Sequence, residues 1–289
     1  MKQRARNAMI SCYIGTTILA FNPILAKSIV LSAITITFWR SFFATCGLFG
    51  FSRVRKMSVR IQPHHRIGLI VMGVLMSIHL VTFFYSIQTS TVAIGIISLY
   101  TFPAITALIE PFILKEKIRV TTFILAIVMV GAISIVVPEF RWDNHMTQGV
   151  FWGVSSALLY SIRNVMTRRY LADYSIVPVM GWQLTVSTIV LMPFMVMLAE
   201  WPIAWSDFGL LMVLGFVSTA IGHTLLASSF KHLSAAGAGL ISAIQPVIAI
   251  ALGYLILGET LTVRTFIGGV LVLGVVVVES MGQLSPSEE

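Results

Sequence analysis

The fold of this chain is decided by a stretch that occurs twice, 143 residues apart. Residues 91–131 read TVAIGIISLYTFPAITALIEPFILKEKIRVTTFILAIVMVG, and residues 234–274 read SAAGAGLISAIQPVIAIALGYLILGETLTVRTFIGGVLVLG. The alignment needs no gap and brings four distinctive identical pairs into register: Pro103 with Pro246, Glu116 with Glu259, Phe123 with Phe266, and Gly131 with Gly274. From 90–132 to 233–275, eleven of 43 positions are identical. Hydrophobic bias does not readily align Pro, Glu and Gly, so we infer an internal repeat.

The composition places the chain in a membrane. Of 289 residues 57% are hydrophobic, only 10% are charged, and the mean hydropathy is +0.93. A soluble domain carries about 25% charged residues, and no soluble fold of this length could bury so much apolar surface. The cysteines, Cys12 and Cys46, stand in apolar runs and are interpreted as small core residues rather than a disulfide. The basic start followed by an apolar run predicts a retained first helix, not a cleaved signal peptide.

The apolar runs predict an all-α polytopic membrane protein with ten transmembrane helices. A span needs about 20 apolar residues. Ten segments meet this length approximately: 7–26, 29–51, 66–88, 91–114, 120–138, 149–170, 176–199, 206–230, 235–257 and 262–281. The connections are too short for a soluble domain, so function must reside among the helices and in the lipid bilayer.

Lys and Arg predict the orientation, because they concentrate on the cytoplasmic side of membrane proteins. With the N-terminus in the cytoplasm, fourteen of the nineteen lie inside, three lie outside, and Arg40 and Arg163 lie within spans. We therefore expect a multi-pass protein of the plasma (bacterial inner) membrane with both termini cytoplasmic. The net charge of +8 then needs no nucleic acid partner.

The repeat divides the chain into two units, 1–144 and 145–289, with five predicted spans each. An odd number of spans inverts the second unit relative to the first. Inverted repeats are typical of secondary carriers, in which exchanging the conformations of the two halves exposes the site to either side.

The repeated motifs also resemble a known family. They read I-x-x-L-Y-x-F-P-A-I…L-K-E-K-I…G from Ile96 and I-S-A-I-Q-P-V-I…L-G-E-T-L…G from Ile241. This pattern is similar to the drug/metabolite transporter superfamily of the EamA type. The resemblance implies ten helices in two five-helix repeats, export of amino acids or other small metabolites, and no bound cofactor. It also implies that the fourth and ninth helices line a central cavity.

Two prolines point to the same helices on physical grounds. Pro103 and Pro246 interrupt helical hydrogen bonding inside their spans and free the carbonyls near Leu99 and Ser242. Paired breaks in corresponding helices indicate a binding site. The neighbouring polar side chains, Tyr100 and Gln245, are therefore candidate substrate ligands, together with Pro103 and Pro246 as cavity-lining breaks.

Arg40 lies near the centre of the second span, where a charged residue is costly. It could bind a carboxylate or phosphate of the substrate, or it could be a structural arginine that holds carbonyls. Its repeat counterpart is Gln183, so a site there would be asymmetric.

Further candidates come from histidines and aromatic residues in the spans. His79 and His223 lie mid-membrane in the third and eighth predicted helices, which correspond in the two repeats, and could hydrogen-bond a substrate, or they could be packing residues. Four aromatic residues could wall an organic substrate or simply pack against lipid: Trp39, Tyr85, Tyr160 and Trp182.

Other polar residues have structural interpretations. Arg163 is expected to snorkel to the interface, and Glu110 to pair with Lys115 or Lys117. Glu116 and Glu259 suit capping or gate-closing contacts. The small residues of the run 235–239 (AAGAG), with Ala243, predict close helix packing, and Gly149 and Gly153 give a similar but weaker signal.

Other classes of function fit less well. The chain lacks G-x-S-x-G, H-E-x-x-H and the P-loop pattern, so no catalytic residue, metal ligand or nucleotide domain is predicted, and an enzyme or primary pump is not expected. A channel, or a membrane receptor or sensor for a small molecule, remains an alternative to a secondary exporter. The sequence leaves open the substrate, the coupling ion, and whether the protein is a monomer or a homodimer.

Overall fold

The computed structural model describes residues 2–114, 120–137, 139, 141–171, 173–201, 204–229 and 241–284. These residues form helices and no strand, which confirms the all-α prediction. The helices, in chain order, are α1 (Lys2–Ala20), α2 (Asn22–Ser28), α3 (Ala33–Val54), a 3₁₀ turn (Pro63–His65), α4 (Arg66–Thr89), α5 (Val92–Leu99), α6 (Phe102–Leu114), α7 (Val120–Val136), α8 (His145–Tyr170), α9 (Ile176–Leu198), α10 (Trp205–Met212), a π-helical segment (Val213–His223), α11 (Thr224–Ser229), α12 (Ile244–Leu257) and α13 (Val263–Leu284).

Nine of the predicted spans correspond to apolar helical segments. Six such segments in the described residues are long and apolar enough to cross a membrane, and three shorter apolar ones are α7, α12 and the first part of α13. The remaining predicted span, 149–170, coincides with α8, which is not among these nine. The protein is therefore a multi-pass helical membrane protein, and the count of ten crossings stays a prediction.

The internal repeat reappears in the helix boundaries. Helix α3 begins at Ala33 and α9 begins at Ile176, 143 residues later. The turn between α5 and α6 starts at Tyr100, and the turn before α12 stands at Ala243, again 143 residues later. The same local sequence signals thus start and interrupt corresponding helices in both units.

The helices pack in pairs that the repeat relates to one another. Helices α3 and α9, which are repeat counterparts, pack directly together, as do α7 and α13. Helix α4 packs on α8, and α1 packs on the π-helical segment and α11. Exchanging the two units converts each of the last two pairings into the other. Helices of both units therefore contribute to the core.

Two glycines let α8 approach α5 and the C-terminal end of α4. A Cβ atom on Gly149 would lie 2.2 Å from Oγ of Ser90, and one on Gly153 would lie 2.5 Å from Cβ of Ser98. Ser86, on α4, donates a hydrogen bond of 2.5 Å to the carbonyl of Gly149. The predicted role of these glycines in close packing is confirmed, whereas the run 235–239 lies outside the described residues.

The end of the bundle that is predicted to face outward is tied together by two carboxylates. Glu259 accepts a hydrogen bond from the backbone N–H of Val92 at 2.9 Å, and its other oxygen lies 2.7 Å from Nζ of Lys27. Lys27 also donates to the carbonyl of Ser90. Glu259 therefore makes the predicted capping contact, here at the N-terminus of α5, whereas its counterpart Glu116 lies outside the described residues.

Glu200 caps α3 at the same end. It accepts hydrogen bonds from the backbone N–H of Ser32 at 2.9 Å and from the hydroxyl of Thr35 at 2.8 Å. Partial burial opposes ionisation, but these hydrogen bonds prevail and lower the pKa of Glu200 below its ordinary value. The first turn of α3 is thus stabilised by an ionised carboxylate.

The prediction that both cysteines are core residues is confirmed for Cys12 only. Cys12 is buried in a small cluster with Leu19 and Leu226, as predicted. Cys46 is exposed on the surface of α3, so the prediction that it is a core residue is wrong. A thiol behaves as a small apolar group, which lipid accommodates as well as a protein core does.

Candidate functional site

The two helix breaks meet each other inside the bundle. The hydroxyl of Tyr100 donates to the carbonyl of Ser242 and lies 3.1 Å from Oε1 of Gln245. Gln245 also reaches the carbonyl of Leu19 at 3.5 Å. Tyr100 and Gln245 are 2% and 8% exposed. The freed carbonyl of Ser242 is therefore satisfied by a side chain of the other repeat, rather than by a solvent-filled cavity.

The prolines stand at the start of the helices that follow these breaks. Pro103 is the second residue of α6, and Pro246 is the third residue of α12. Proline is well tolerated in the first turn of a helix, where the missing N–H has no partner to lose. The prediction of an interrupted helix is confirmed at both sites, while neither proline lines the cavity described below.

Arg40 is fully buried on α3 and points to the π-helical segment. Its Nε and Nη2 donate to the hydroxyl of Thr219 at 2.9 and 2.7 Å, and its guanidinium lies 4.8 Å from the ring centre of Phe84. Nη1 is buried without a hydrogen-bond partner. A hydroxyl and an aromatic face are neutral partners, so they leave the charge of Arg40 uncompensated.

Arg163 is the second buried arginine, and it does not snorkel. It is 3% exposed, so the sequence-based interpretation of this residue is wrong. Nε donates to Oε1 of Gln183 at 2.7 Å, Nη1 to Asn164 at 3.3 Å, and Nη2 to the sulfur of Met180 at 2.9 Å. The amide of Gln183 on the neighbouring helix α9 keeps the guanidinium inside, although the thioether is only a weak acceptor.

His79 is held between α4 and α8. Its Nδ1 lies 2.7 Å from the hydroxyl and 3.1 Å from the carbonyl of Ser156, whose hydroxyl in turn donates to the carbonyl of His79. A carbonyl can only accept, so we assign the proton to Nδ1. The imidazole stacks on Tyr160, with ring centres 4.6 Å apart.

A small cavity of about 20 Å³ lies beside these residues, between α8, α9 and α11. That space suffices for about one water molecule. The side chains around it are Tyr160, Arg163, Asn164, Thr167, Arg168, Met180, His223, Leu226 and Ala227. His223, which is 8% exposed, ends the π-helical segment and leaves Nε2 buried without a hydrogen-bond partner.

Four basic side chains therefore gather in the middle of the bundle, and we call Arg40, His79, Arg163 and His223 the central basic cluster. Arg163 and His223 line the same cavity, His79 stacks on Tyr160 of that cavity, and Arg40 binds Thr219 in the π-helical segment that His223 ends. Among the described residues, the ion pairs join other groups: Lys27 with Glu259, Arg141 with Asp143, and Arg168 with Glu110. The described structure thus offers the cluster no acidic partner.

Three aromatic candidates lie elsewhere. Trp39 packs in an aromatic cluster with Phe43, Trp201 and Phe208. Tyr85 is 44% exposed against Trp152, and Trp182 is 38% exposed, with its indole N–H bound to the carbonyl of Val59. The prediction that these three wall a central site is not supported by their positions, whereas Tyr160 lies against both His79 and the cavity.

Glu110 pairs with a cation that the sequence did not suggest. Its carboxylate lies 2.5 Å from Nη1 of Arg168, on the rim of the cavity. The predicted partners, Lys115 and Lys117, lie outside the described residues. Because α6 and α8 are adjacent, an arginine 58 residues away in the sequence reaches Glu110.

Comparison with known proteins agrees with this architecture. The model of the EamA-like transporter family matches residues 6–137 and again residues 147–281. The chain belongs to the EamA-like transporter family. The two matches coincide with the two units of the internal repeat, so this EamA-like protein carries the family's domain twice.

Its relatives span nearly the same length. The pseudopaline exporter CntI of Pseudomonas aeruginosa (strain UCBPP-PA14) is 29% identical over 256 residues, which cover 85% of each chain. An uncharacterized inner membrane transporter, YicL of Salmonella typhimurium (strain LT2), is 22% identical over 96% of each chain. A solved crystal structure superposes with a TM-score of 0.70 over 96% of this chain and 98% of that chain. Its identity of 15% shows a shared fold alone.

Arg163 is the candidate that sequence reasoning missed in this EamA-like protein. The sequence placed Arg163 inside a predicted span. It also placed Arg163 close enough to the end of that span for the guanidinium to reach the membrane interface. A signal was present in Gln183, which stands where the first repeat has Arg40. Only the tertiary structure, in which α8 and α9 both pack on α4, reveals that the amide of Gln183 receives another arginine.

Proposed function

We propose that this EamA-like protein is a secondary transporter that exports a small organic metabolite, such as an amino acid, by alternating access through a central cavity. The observation that carries the proposal is the central basic cluster, buried beside a cavity and without an acidic partner in the described residues. Charged side chains inside a membrane are costly and typically mark a substrate or ion pathway.

The contacts at the two ends of the bundle support alternating access. At the predicted outer end, Glu259 joins Lys27 and the start of α5. Toward the other end, the cavity is bordered by Arg168, which is paired with Glu110. Opening one set of contacts while the other closes would expose the cluster to each side in turn. A cavity of about 20 Å³ admits no organic molecule until such an opening occurs.

The relatives support export and location. One relative of similar length is a pseudopaline exporter, and another is an inner membrane transporter. We extend both properties to this chain as part of the proposal: export of a small organic molecule across the bacterial inner membrane, with both termini cytoplasmic. The substrate named for that relative is not assigned to this chain.

Counterflow in proteoliposomes tests the proposal. Vesicles containing the purified protein are loaded with an unlabelled mixture of amino acids, and uptake of each labelled amino acid and dicarboxylate is followed. A carrier gives saturable uptake that is faster in loaded than in empty vesicles. A channel gives flux that loading does not accelerate, and a receptor binds a compound without flux; either result would reject the transporter proposal.

A cysteine at the cavity gives a second readout. Ala227→Cys, in a background with Cys12→Ala and Cys46→Ala, should react with a small aqueous thiol reagent, and a transported compound should slow the reaction. The matched control, Ile127→Cys, lies on a lipid-facing part of α7 that is 59% exposed and should stay unreactive to an aqueous reagent. Equal reaction at both positions would remove the cavity from the pathway.

A further inference from the structure

We infer that the central basic cluster binds an organic anion with two acidic groups, one for Arg40 and one for Arg163. This inference rests on the proposed transport function and specifies the chemical class of the substrate. It follows from the count of uncompensated charges, from the unoccupied donors of the cluster, and from the composition of the surrounding helices.

The two guanidinium groups carry charge that no acidic side chain in the described part of the chain neutralises. Arginine stays protonated in proteins, and a buried charge normally requires an opposite charge. Arg40 has a hydroxyl and an aromatic ring as neighbours, and Arg163 has two amide oxygens and a thioether. A carboxylate would be a stronger acceptor than each of these groups.

The sequence confirms that acidic residues are scarce near the cluster. Of the eleven Asp and Glu residues in the chain, only Glu110, Asp207 and Glu279 fall inside predicted spans, and each stands near a span end. In the structure, Glu110 is already paired with Arg168. A mobile ligand is therefore the source of negative charge that the site accommodates.

Several donors are available to such a ligand. Among the described residues, Nη1 of Arg40 is buried without a hydrogen-bond partner, and Nη2 of Arg163 donates to the sulfur of Met180, which the ligand can displace. His223 borders the cavity with a free Nε2. His223 lines the cavity together with Arg163 and lies four residues after Thr219, the partner of Arg40, so it lies where the body of a ligand spanning the two arginines would pass.

One carboxylate satisfies one guanidinium, so two guanidinium groups favour a ligand with two carboxylates over a ligand with one. Neutral and cationic molecules would leave both charges buried and unpaired, at a cost that ion pairing avoids. Tyr160, stacked on His79 and beside the cavity, offers an aromatic surface for the carbon chain between the acidic groups. The predicted ligand is thus a dicarboxylate or a similar doubly acidic metabolite, including an acidic amino acid.

Thermal unfolding of the purified full-length protein provides the test. The probes are the dicarboxylates from malonate to adipate and L-glutamate, each compared at equal ionic strength with butyrate and L-glutamine. L-glutamate and L-glutamine differ in a single acidic group, which makes them a matched pair. We expect at least one dianion to raise the unfolding temperature and the monoacidic partners to leave it unchanged.

Substitutions at Arg40 and Arg163 test whether these two residues bind the stabilising compound. Arg40→Gln and Arg163→Gln should each raise the half-saturating concentration of the stabilising dianion about ten-fold or more, as loss of a hydrogen bond to a charged group does. The control Arg141→Gln removes an exposed arginine and should not change it. Arg163→Lys, which retains a positive charge, should bind better than Arg163→Gln.

The unliganded variants distinguish a binding role from a structural one. An arginine that awaits a ligand can be replaced by Gln without a large loss of stability in the absence of probe. The inference is overturned if no dianion stabilises the protein, if L-glutamine acts as well as L-glutamate, or if both Gln variants keep normal affinity.

Counterflow separates this inference from the proposed function. Saturable counterflow of a neutral compound that survives both Gln substitutions would refute the dianion class and leave the transporter intact. Dianion binding that depends on both arginines, without flux of the bound dianion in either direction, would support the ligand class and refute transport.

Discussion

Arg163 donates a hydrogen bond of 2.7 Å from Nε to Oε1 of Gln183, the residue that stands 143 positions after Arg40. The second repeat therefore has a glutamine where the first has an arginine, and this glutamine of α9 binds an arginine from α8. Each repeat still brings one guanidinium to the central basic cluster, from α3 in the first unit and from α8 in the second. The asymmetry predicted from Arg40 and Gln183 is thus that the two repeats supply their arginine from different helices. Both repeats still supply one positive charge.

Replacing Gln183 tests this relationship. Gln183→Leu removes the acceptor of Nε and leaves a buried donor on a charged group unpaired. We expect a loss of about 1.5–3 kcal/mol in the free energy of unfolding, measured by denaturant titration in detergent. Gln148→Leu is the control, because its side-chain hydrogen bond to Trp142 is exposed and should be worth less. Equal losses in the two variants would show that Gln183 does not hold Arg163.

Substitutions of Arg40 distinguish the effect of its charge from the effect of its hydrogen-bonding geometry. Arg40→Lys should retain part of the transport, because an ammonium group supplies the same charge, although it lacks the fork that reaches Thr219 with two nitrogens. Arg40→Gln should abolish transport while the protein still folds and inserts, which gel filtration of the purified variant checks. Normal counterflow by Arg40→Ala would remove Arg40 from the site.

Tyr100 links the two helix breaks. Tyr100→Phe deletes the hydroxyl that satisfies the carbonyl of Ser242 and leaves that acceptor buried. The expected destabilisation is about 1–3 kcal/mol, seen as a lower midpoint in thermal unfolding. Tyr254→Phe, at a residue that is 63% exposed, should change the midpoint little. An unchanged Tyr100→Phe midpoint would mean that water replaces the hydroxyl.

Gly153 sets the distance between α5 and α8. Gly153→Ala would place a Cβ 2.5 Å from Cβ of Ser98, so the helices must separate, at a cost of about 1–3 kcal/mol. Gly50→Ala, in a helix with open space around the added atom, should instead stabilise by up to about 1 kcal/mol through helix propensity. Opposite signs in thermal unfolding are expected; the same sign for both would contradict the close contact.

The orientation is tested with reporters at the C-terminus. A fusion after Glu289 should be active when the reporter works in the cytoplasm and inactive when it works only in the periplasm, because of the fourteen-to-three distribution of Lys and Arg. The control is the same pair of reporters fused after Arg141, in a loop predicted to face outward, where the opposite pattern is expected. Periplasmic activity after Glu289 would overturn the predicted topology.

The sequence was sufficient to predict the helical architecture because the lipid bilayer restricts which backbone structures can span it. Lipid cannot satisfy backbone groups, so an apolar chain of this kind must form helices. The offset of 143 residues predicted corresponding helices and breaks, and α3, α9 and the turns at Tyr100 and Ala243 follow it. The packing of Gly149 and Gly153, and the cap formed by Glu259, were also predictable, since small residues and helix ends have local rules.

The partners of the polar side chains were decided by tertiary structure alone. The spacing of apolar residues along a helix predicts which of its side chains face the interior of the bundle. It does not predict which other helix those side chains contact. Tyr100 therefore meets Ser242 instead of solvent, Glu110 meets Arg168, and Trp182 turns outward to the carbonyl of Val59. Arg163 is the decisive example: its sequence position allowed either the interface or the core, and the amide of Gln183 on the adjacent helix keeps it in the core, because a buried donor goes where an acceptor satisfies it.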